Sequence, residues 1–334
     1  YVSKEVINVR ENVGVTEVAN FSKHEFKGPD ARKFLDNIMA GKLPKPGRIS
    51  LTPMLTYRGK LYGDLTVACF DENEFMVFGS GAAQEMHRRW FESHLGKFNL
   101  KYKNRSDEFH GLSIAGPKSR ELLQNIVREN VSNDSFKFRD SKRMFVAGVP
   151  AIVNRISFTG ELGYEIYVAP HFQLKLYEEL TKAGKEFNIK PFGGRALMSM
   201  RLEKNWGAWT LDYRPDFTAK ETGLDIFINW NKDFIGKDSA QKDESKNKIV
   251  PLIVETNDID VTYNEAVLKG NKSIGYITSG GFAHFVNKSV AFSFVDQNEL
   301  KSEKGIQVEI NGDFFNCSII KEPLYDPTGQ KMRS

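Results

Sequence analysis

The chain has 334 residues, 40% of them hydrophobic and 27% charged, with a formal net charge of +4. That length exceeds one typical domain and suits a core divided over two or three closely packed lobes. Lys and Asp/Glu are interspersed rather than gathered into a basic block, and no apolar run nears the length of a membrane helix, so neither a nucleic-acid partner nor a membrane is expected.

The first residues, SKEVINVRENVG, read as helix with no signal peptide before them, so the expectation is a lost leader or a piece of a longer polypeptide. Residues 24–38, HEFKGPDARKFLDNI, then match residues 112–126, LSIAGPKSRELLQNI, with Gly, Pro, Arg, Leu, Asn and Ile in the same places. Each copy predicts a strand, a Gly-Pro turn and an amphipathic helix with Pro at its first position, where the missing N–H costs nothing. Two such units suggest a split, ferredoxin-like lobe over about 1–45 and 110–205. Between them, at about 46–109, β-rich runs separated by Tyr57-Arg58-Gly59 and Asp71-Glu72-Asn73 predict an inserted antiparallel lobe. A helix over 81–95 follows, with Met86, Trp90 and Leu95 as its core stripe.

Further along, KRMFVAGVPAIVNRISFTGELGYEIYVAP predicts two or three strands, and helical patterns occupy 173–187 and 193–204. The charged stretch GKDSAQKDESKNK marks a boundary near 245, which closes a first domain over 1–245. Residues 246–334 alternate and turn as an all-β lobe. The fold class expected is α+β, in three lobes.

Few motifs carry chemistry by themselves. Cys69 and Cys317 are far apart and the six histidines are scattered, so no metal site or disulfide is indicated, and a reducing compartment, cytoplasm or mitochondrial matrix, fits. The segment FMVFGSGAAQ imitates a dinucleotide loop, but Gln84 stands where a third small residue is needed, and a flavin or nucleotide site is rejected there. Asp64, in the strand pattern GKLYGDLTVACF, is either a salt-bridged strand-end carboxylate or one aimed into a site, since burial without a partner is costly. Glu165, in SFTGELGYEIYV, has a bland reading as a surface strand residue paired with Lys; beside Phe158 and Tyr164 it could instead accept two parallel N–H bonds from a planar heterocycle. Arg201, in ALMSMRLEKNWGAW, pairs by default with a nearby acid, the functional alternative being a ligand carboxylate.

Together these stretches resemble the aminomethyltransferase (glycine-cleavage T-protein) superfamily, and within it the tetrahydrofolate domain of dimethylglycine and sarcosine dehydrogenases. The likeness rests on the order of VRENVGVTEVANFSKHEFKGPDA, KPGRISLTPMLTYRGKLYGDLTV, AGPKSRELL, RISFTGELGYEIY, ALMSMRLEKNWGAWTLDYRPDFTAKETGLD, FIGKD and GYITSGGFAHFVNKSVAFSFV. It implies a three-lobed ring of ferredoxin-like lobe, antiparallel β lobe and C-terminal β-barrel, with tetrahydrofolate at the centre. It also implies that Asp64 lies near N10 of the folate as general base, that Glu165 grips the pterin, and that Thr66, Gly79, Phe158 and Tyr164 line it, with Met54 and Arg201 as further lining residues. The implied activity is acceptance of a formaldehyde-level carbon from an oxidised N-methyl amine to give 5,10-methylene-tetrahydrofolate. The carbon would come as iminium or formaldehyde from a flavin oxidase domain, attached N-terminally or separate. The alternatives are a glycine-cleavage aminomethyltransferase, a stand-alone folate-dependent demethylase or methyltransferase, and a non-catalytic folate-binding factor. Gly63-Asp64 replaces the usual two consecutive Asp residues of the glycine-cleavage enzyme, and Phe158 replaces an expected Tyr.

Overall fold

In the computed structural model, which describes residues 1–256, 259–302 and 304–334, the two copies of the internal repeat lie in different sheets. Helix α1 (Val2–Glu11) leads into strand β1 (Val13–Glu17), and the first repeat unit is β2 (Ser22–Lys27) with α2 (Ala31–Ile38). Next come β3 (Arg48–Leu55), β4 (Leu61–Asp71), β5 (Glu74–Gly79), α3 (Gln84–Leu95) and β6 (Lys101–Asn104). The second repeat unit is β7 (His110–Ala115) with α4 (Ser119–Ile126), followed by β8 (Ser141–Val146), β9 (Val149–Asn154) and β10 (Gly163–Val168). Helix α5 (Gln173–Ala183), strand β11 (Ile189–Pro191) and helix α6 (Gly194–Glu203) complete this part.

One sheet has the order β11-β1-β7-β10-β9-β8 and the other β3-β4-β5-β2-β6. The expected division placed residues 1–45 with 110–205; the pairing instead puts β2 between β5 and β6, so the first repeat unit belongs to the second sheet. Strand identity can be read locally, but the partner of a strand is a non-local choice. Both repeat helices also start later than expected. Gly28 (φ +142°) and Gly116 (φ +133°) each turn the chain, and their carbonyls accept from Ala31 and Ser119 at 3.0 Å, so Pro29 and Pro117 lie inside the turn before the helix. Only glycine fits: a Cβ on Gly116 would stand 2.2 Å from the carbonyl oxygen of Asn12.

The outer face of the first sheet packs on α4 and α5 through Leu122, Leu123, Leu176, Leu180 and the strand residues Ile114, Tyr164 and Ile166. That of the second packs on α2 and α3 through Phe34, Leu35, Phe91, Leu65 and Val77. The helix over 84–95 buries His87 and Phe91 most deeply, whereas Met86, expected in its core stripe, stays half-buried. The inner faces meet through Val18, Ile49, Ala68, Met76, Phe78, Ile152 and Tyr167. A closed barrel follows, formed by β12 (Asn247–Val254), β13 (Ala266–Lys269), β14 (Lys272–Ala283), β15 (Lys288–Asp296), β16 (Ile306–Ile310) and β17 (Asp313–Ile319). It is packed with Val254, Val267, Ile277, Val295 and Val308. Thus the α+β fold class and the all-β C-terminal lobe are as the sequence predicts, and the closed barrel is as the family likeness implies. Among the described residues no helix is long and apolar enough to cross a membrane.

Candidate active site

Strand parity decides which candidates share a site. On β4, Leu65, Val67 and Cys69 enter the core against α2 and α3, so Asp64 and Thr66 face the opposite sheet. Thr66 stands cross-strand from Phe78, whose ring lies 4.8 Å from that of Tyr167 on β10. The Tyr167 hydroxyl donates to Glu165 Oε2 at 2.8 Å. Asp64, Thr66, Phe78, Tyr167 and Glu165 therefore line the space between the two inner faces.

The aromatic wall comes from two loops. Phe158, between β9 and β10, stacks on Trp206 with ring centroids 6.0 Å apart and an angle of 24°. Trp206 opens the segment after α6, which also carries Tyr213; that phenol is pushed up by burial and by the nearby charge of Asp64. The segment thus runs from the Phe158 side of the site to the Asp64 side.

Burial makes both carboxylates hold a proton more tightly than usual. Burial pushes Asp64 up to about 7, opposed only by a backbone hydrogen bond, and no cation among the described residues forms an ion pair with it. Glu165 is 7% exposed, and burial pushes it to about 7 as well, against the Tyr167 hydroxyl and the charge of Lys23. An ionised carboxylate has about four acceptor positions, and Tyr167 takes one, so Glu165 keeps acceptor capacity for a ligand. Its cross-strand neighbours are Ser113 and Asn154. Asn154 is fully buried; its Oδ1 accepts from Ser141 at 2.7 Å, and its amide nitrogen has no partner among the described residues.

Four candidates are turned away from this space. Tyr164 points to the other face of β10, into the core against Phe136, because neighbouring strand residues alternate. Met54 pairs with Gly63, not with Asp64, and is buried in the core of the second sheet. Arg201 is buried and donates to Asp212 at 2.7 Å and to the Trp206 carbonyl at 3.0 Å, its default structural role. Gly79 ends β5, and a side chain there would point away from Asp64, meeting Leu65 at 2.6 Å and His87 Nδ1 at 3.2 Å.

Sequence reasoning passed over Tyr167, Lys23, Trp206, Tyr213 and His87. Tyr167 had a signal, two residues beyond Glu165 in a strand. His87 had none; it lies beneath Gly63 and Gly79, donates from Nε2 to the Tyr62 carbonyl at 2.8 Å, and is held neutral by burial, which lowers it to about 4. A carbonyl only accepts, so Nε2 carries the proton and Nδ1 is a buried acceptor.

Comparison with known proteins decides the family. Residues 1–232 match the GCVT N-terminal domain and residues 247–326 the glycine cleavage T-protein C-terminal barrel domain. The chain belongs to the glycine-cleavage T-protein family. Human mitochondrial dimethylglycine dehydrogenase is 35% identical over 99% of this chain, which spans 39% of that protein's length. An aminomethyltransferase of Thermoanaerobacter pseudethanolicus is 29% identical over 97% of this chain and 89% of its own. The glycine cleavage system aminomethyltransferase T of Bartonella henselae superposes with a TM-score of 0.87 at 22% identity, covering 98% of this chain and 90% of that one, a likeness of fold. The family is folate-dependent, and the relatives' names divide between aminomethyltransferase and dimethylglycine dehydrogenase.

Proposed function

We propose that this chain carries a formaldehyde-level carbon, released from an oxidised N-methyl amine, onto tetrahydrofolate to give 5,10-methylene-tetrahydrofolate. The observation that carries the reading is the pair of carboxylates, half-buried Asp64 and buried Glu165, on facing sheets beside a stacked aromatic wall. The residues suit the cofactor: Glu165 has unused acceptor positions for the N–H groups of a pterin, and Phe158 offers a flat apolar face.

Tetrahydrofolate, when bound, supplies the nucleophilic nitrogens and hence most of the reactivity. Glu165 orients its ring, a contribution of proximity. Asp64 accepts on a carboxylate oxygen the proton released during ring closure; its burial places it near neutrality, where a general base is most effective.

A glycine-cleavage aminomethyltransferase is the second reading, supported by the likeness to aminomethyltransferases at 29% identity over 97% of this chain. Its higher identity to the dehydrogenase, and Gly63 before Asp64, favour the first. Calorimetric titration with tetrahydrofolate, using Glu165→Gln as control, tests the site: saturable binding lost in that variant is expected, and absence of binding to the parent chain would remove the reading. Carbon transfer from formaldehyde, compared with transfer from an aminomethylated lipoyl carrier, then separates the two reactions.

A further inference from the structure

Lys23, on β2, is closed to solvent, although the stretch SKHEFK looks like an ordinary polar strand. Its cross-strand partner is Phe78, and its ammonium lies 5.6 Å from the centre of the Tyr167 ring. Of its three N–H donors, one is used, to the carbonyl of Ala19 at 2.7 Å. A buried ammonium needs compensating negative charge. The acids that act on it are Asp107, from the turn before β7, and Glu165. Glu25, two residues along the same strand, is engaged by Arg105 and Lys27, and His24 and His87 lie on the other side of the sheet, both kept neutral by burial.

We propose that Lys23 is a positioning residue: through Tyr167 and the space behind it, its ammonium is the internal counter-charge that keeps the Glu165 carboxylate ionised and its free oxygen ready for a planar N–H donor. Because no solvent reaches Lys23, it acts through Glu165 and does not touch the ligand. The inference deepens the folate reading and rests on it for the identity of that ligand. The two groups constrain each other. Burial raises Glu165 to about 7, opposed by the Tyr167 hydroxyl and then by Lys23, and burial lowers Lys23 to about 8, opposed by Asp107 and then by Glu165. Each charge thus favours the other: loss of the carboxylate at low pH makes the ammonium easier to deprotonate, and loss of the ammonium at high pH makes the carboxylate harder to ionise.

The test uses the full chain labelled at glutamate carboxyl carbon, with the Glu165 resonance identified by its absence in Glu165→Gln. In Lys23→Met the Glu165 titration midpoint is expected to rise by about one pH unit or more, the size that loss of a nearby opposite charge produces, and in Lys23→Arg to stay near the parent value. An unmoved midpoint in Lys23→Met overturns the proposal. Should that variant fail to fold, the reciprocal measurement serves: the Lys23 midpoint, followed at its side-chain nitrogen, falls in Glu165→Gln if the two are coupled, and an unchanged value overturns the coupling. Tetrahydrofolate titrations separate the layers. Weakened binding by Lys23→Met at neutral pH, restored in alkaline buffer as Glu165 ionises, supports both readings. A shifted midpoint in Lys23→Met, together with a parent chain that binds no tetrahydrofolate, keeps the counter-charge and removes the folate.

Discussion

Asp64 is destabilised in its charged form by the fold that uses it. Its ordinary value of 3.8 is raised to about 7 by burial, so the folded state holds the proton more tightly than the unfolded one. The stability this provides is complete below pH ~4 and is lost as pH rises through the folded value, while the base becomes active over the same interval. Asp64→Asn is therefore expected to melt at a higher temperature than the parent at pH 8 and at about the same temperature near pH 4, as followed by thermal unfolding at both pH values. The same variant should retain most of its tetrahydrofolate affinity and lose roughly 10²- to 10⁴-fold in the rate of methylene-folate formation. The parent rate should climb with pH through about 7. Equal losses of affinity in Asp64→Asn and Glu165→Gln would contradict the division of roles. Both carboxylates could be picked out from the sequence because an acid within an apolar strand is conspicuous. Lys23 could not, since its burial arises from packing of one sheet on another. Tyr164, read with Glu165 because it is its neighbour in sequence, lies on the opposite face of β10, where strand parity separates neighbours, and Met54, a lining residue by family likeness, packs into the core of the second sheet.

At the scale of elements, the layer of β4 on α3 explains why glycine precedes Asp64. A Cβ on Gly63 would stand 2.9 Å from His87 Nε2 and 3.0 Å from Leu65 Cγ, so an aspartate in its place would collide with the imidazole before reaching solvent. Gly63→Ala is expected to destabilise the chain by about 1–3 kcal/mol, the usual range for overpacking, by displacing His87 from the Tyr62 carbonyl. In denaturant titrations the double variant Gly63→Ala/His87→Ala should fall short of the sum of the two single losses, because removal of the ring vacates the space the new methyl needs. Additive losses would mean that Leu65, not His87, is the obstacle. The pattern of α3 gave the helix but not its deepest side: His87 is polar, and a hydrophobic stripe through Met86 and Trp90 omits it.

Over the whole molecule, the decisive joint is one that sequence shows only as a polar residue in a loop. The likeness to a known family implied lobes and barrel, but not what fastens them. Asp212 is fully buried: Oδ2 accepts from Arg201 at 2.7 Å and from the Ala208 amide at 3.0 Å, and Oδ1 accepts from Thr278 and Ser279 of the barrel at 2.6 and 2.7 Å. Helix α6, the segment bearing Trp206 and Tyr213, and β14 are thereby held at one carboxylate. Ser199 Oγ adds a bond to the Phe282 carbonyl at 2.9 Å, and Glu203 accepts from the Phe285 amide at 2.9 Å. Removing the cation leaves a buried negative charge without its partner, so Arg201→Met should lower unfolding stability by about 3–5 kcal/mol in chemical denaturation. A residue whose work is to meet a ligand's carboxylate would give the opposite signature, weakened tetrahydrofolate binding with unfolding unchanged. The expected order is loss of stability first, with affinity affected only as far as the Trp206 segment loosens. Thr278→Val, which removes one hydroxyl from the same carboxylate but leaves Arg201 in place, should reproduce the effect at smaller size, about 1–3 kcal/mol. Agreement in direction between variants on opposite sides of the joint would assign Arg201 to the framework that holds the aromatic wall over Asp64, and disagreement would return it to the ligand.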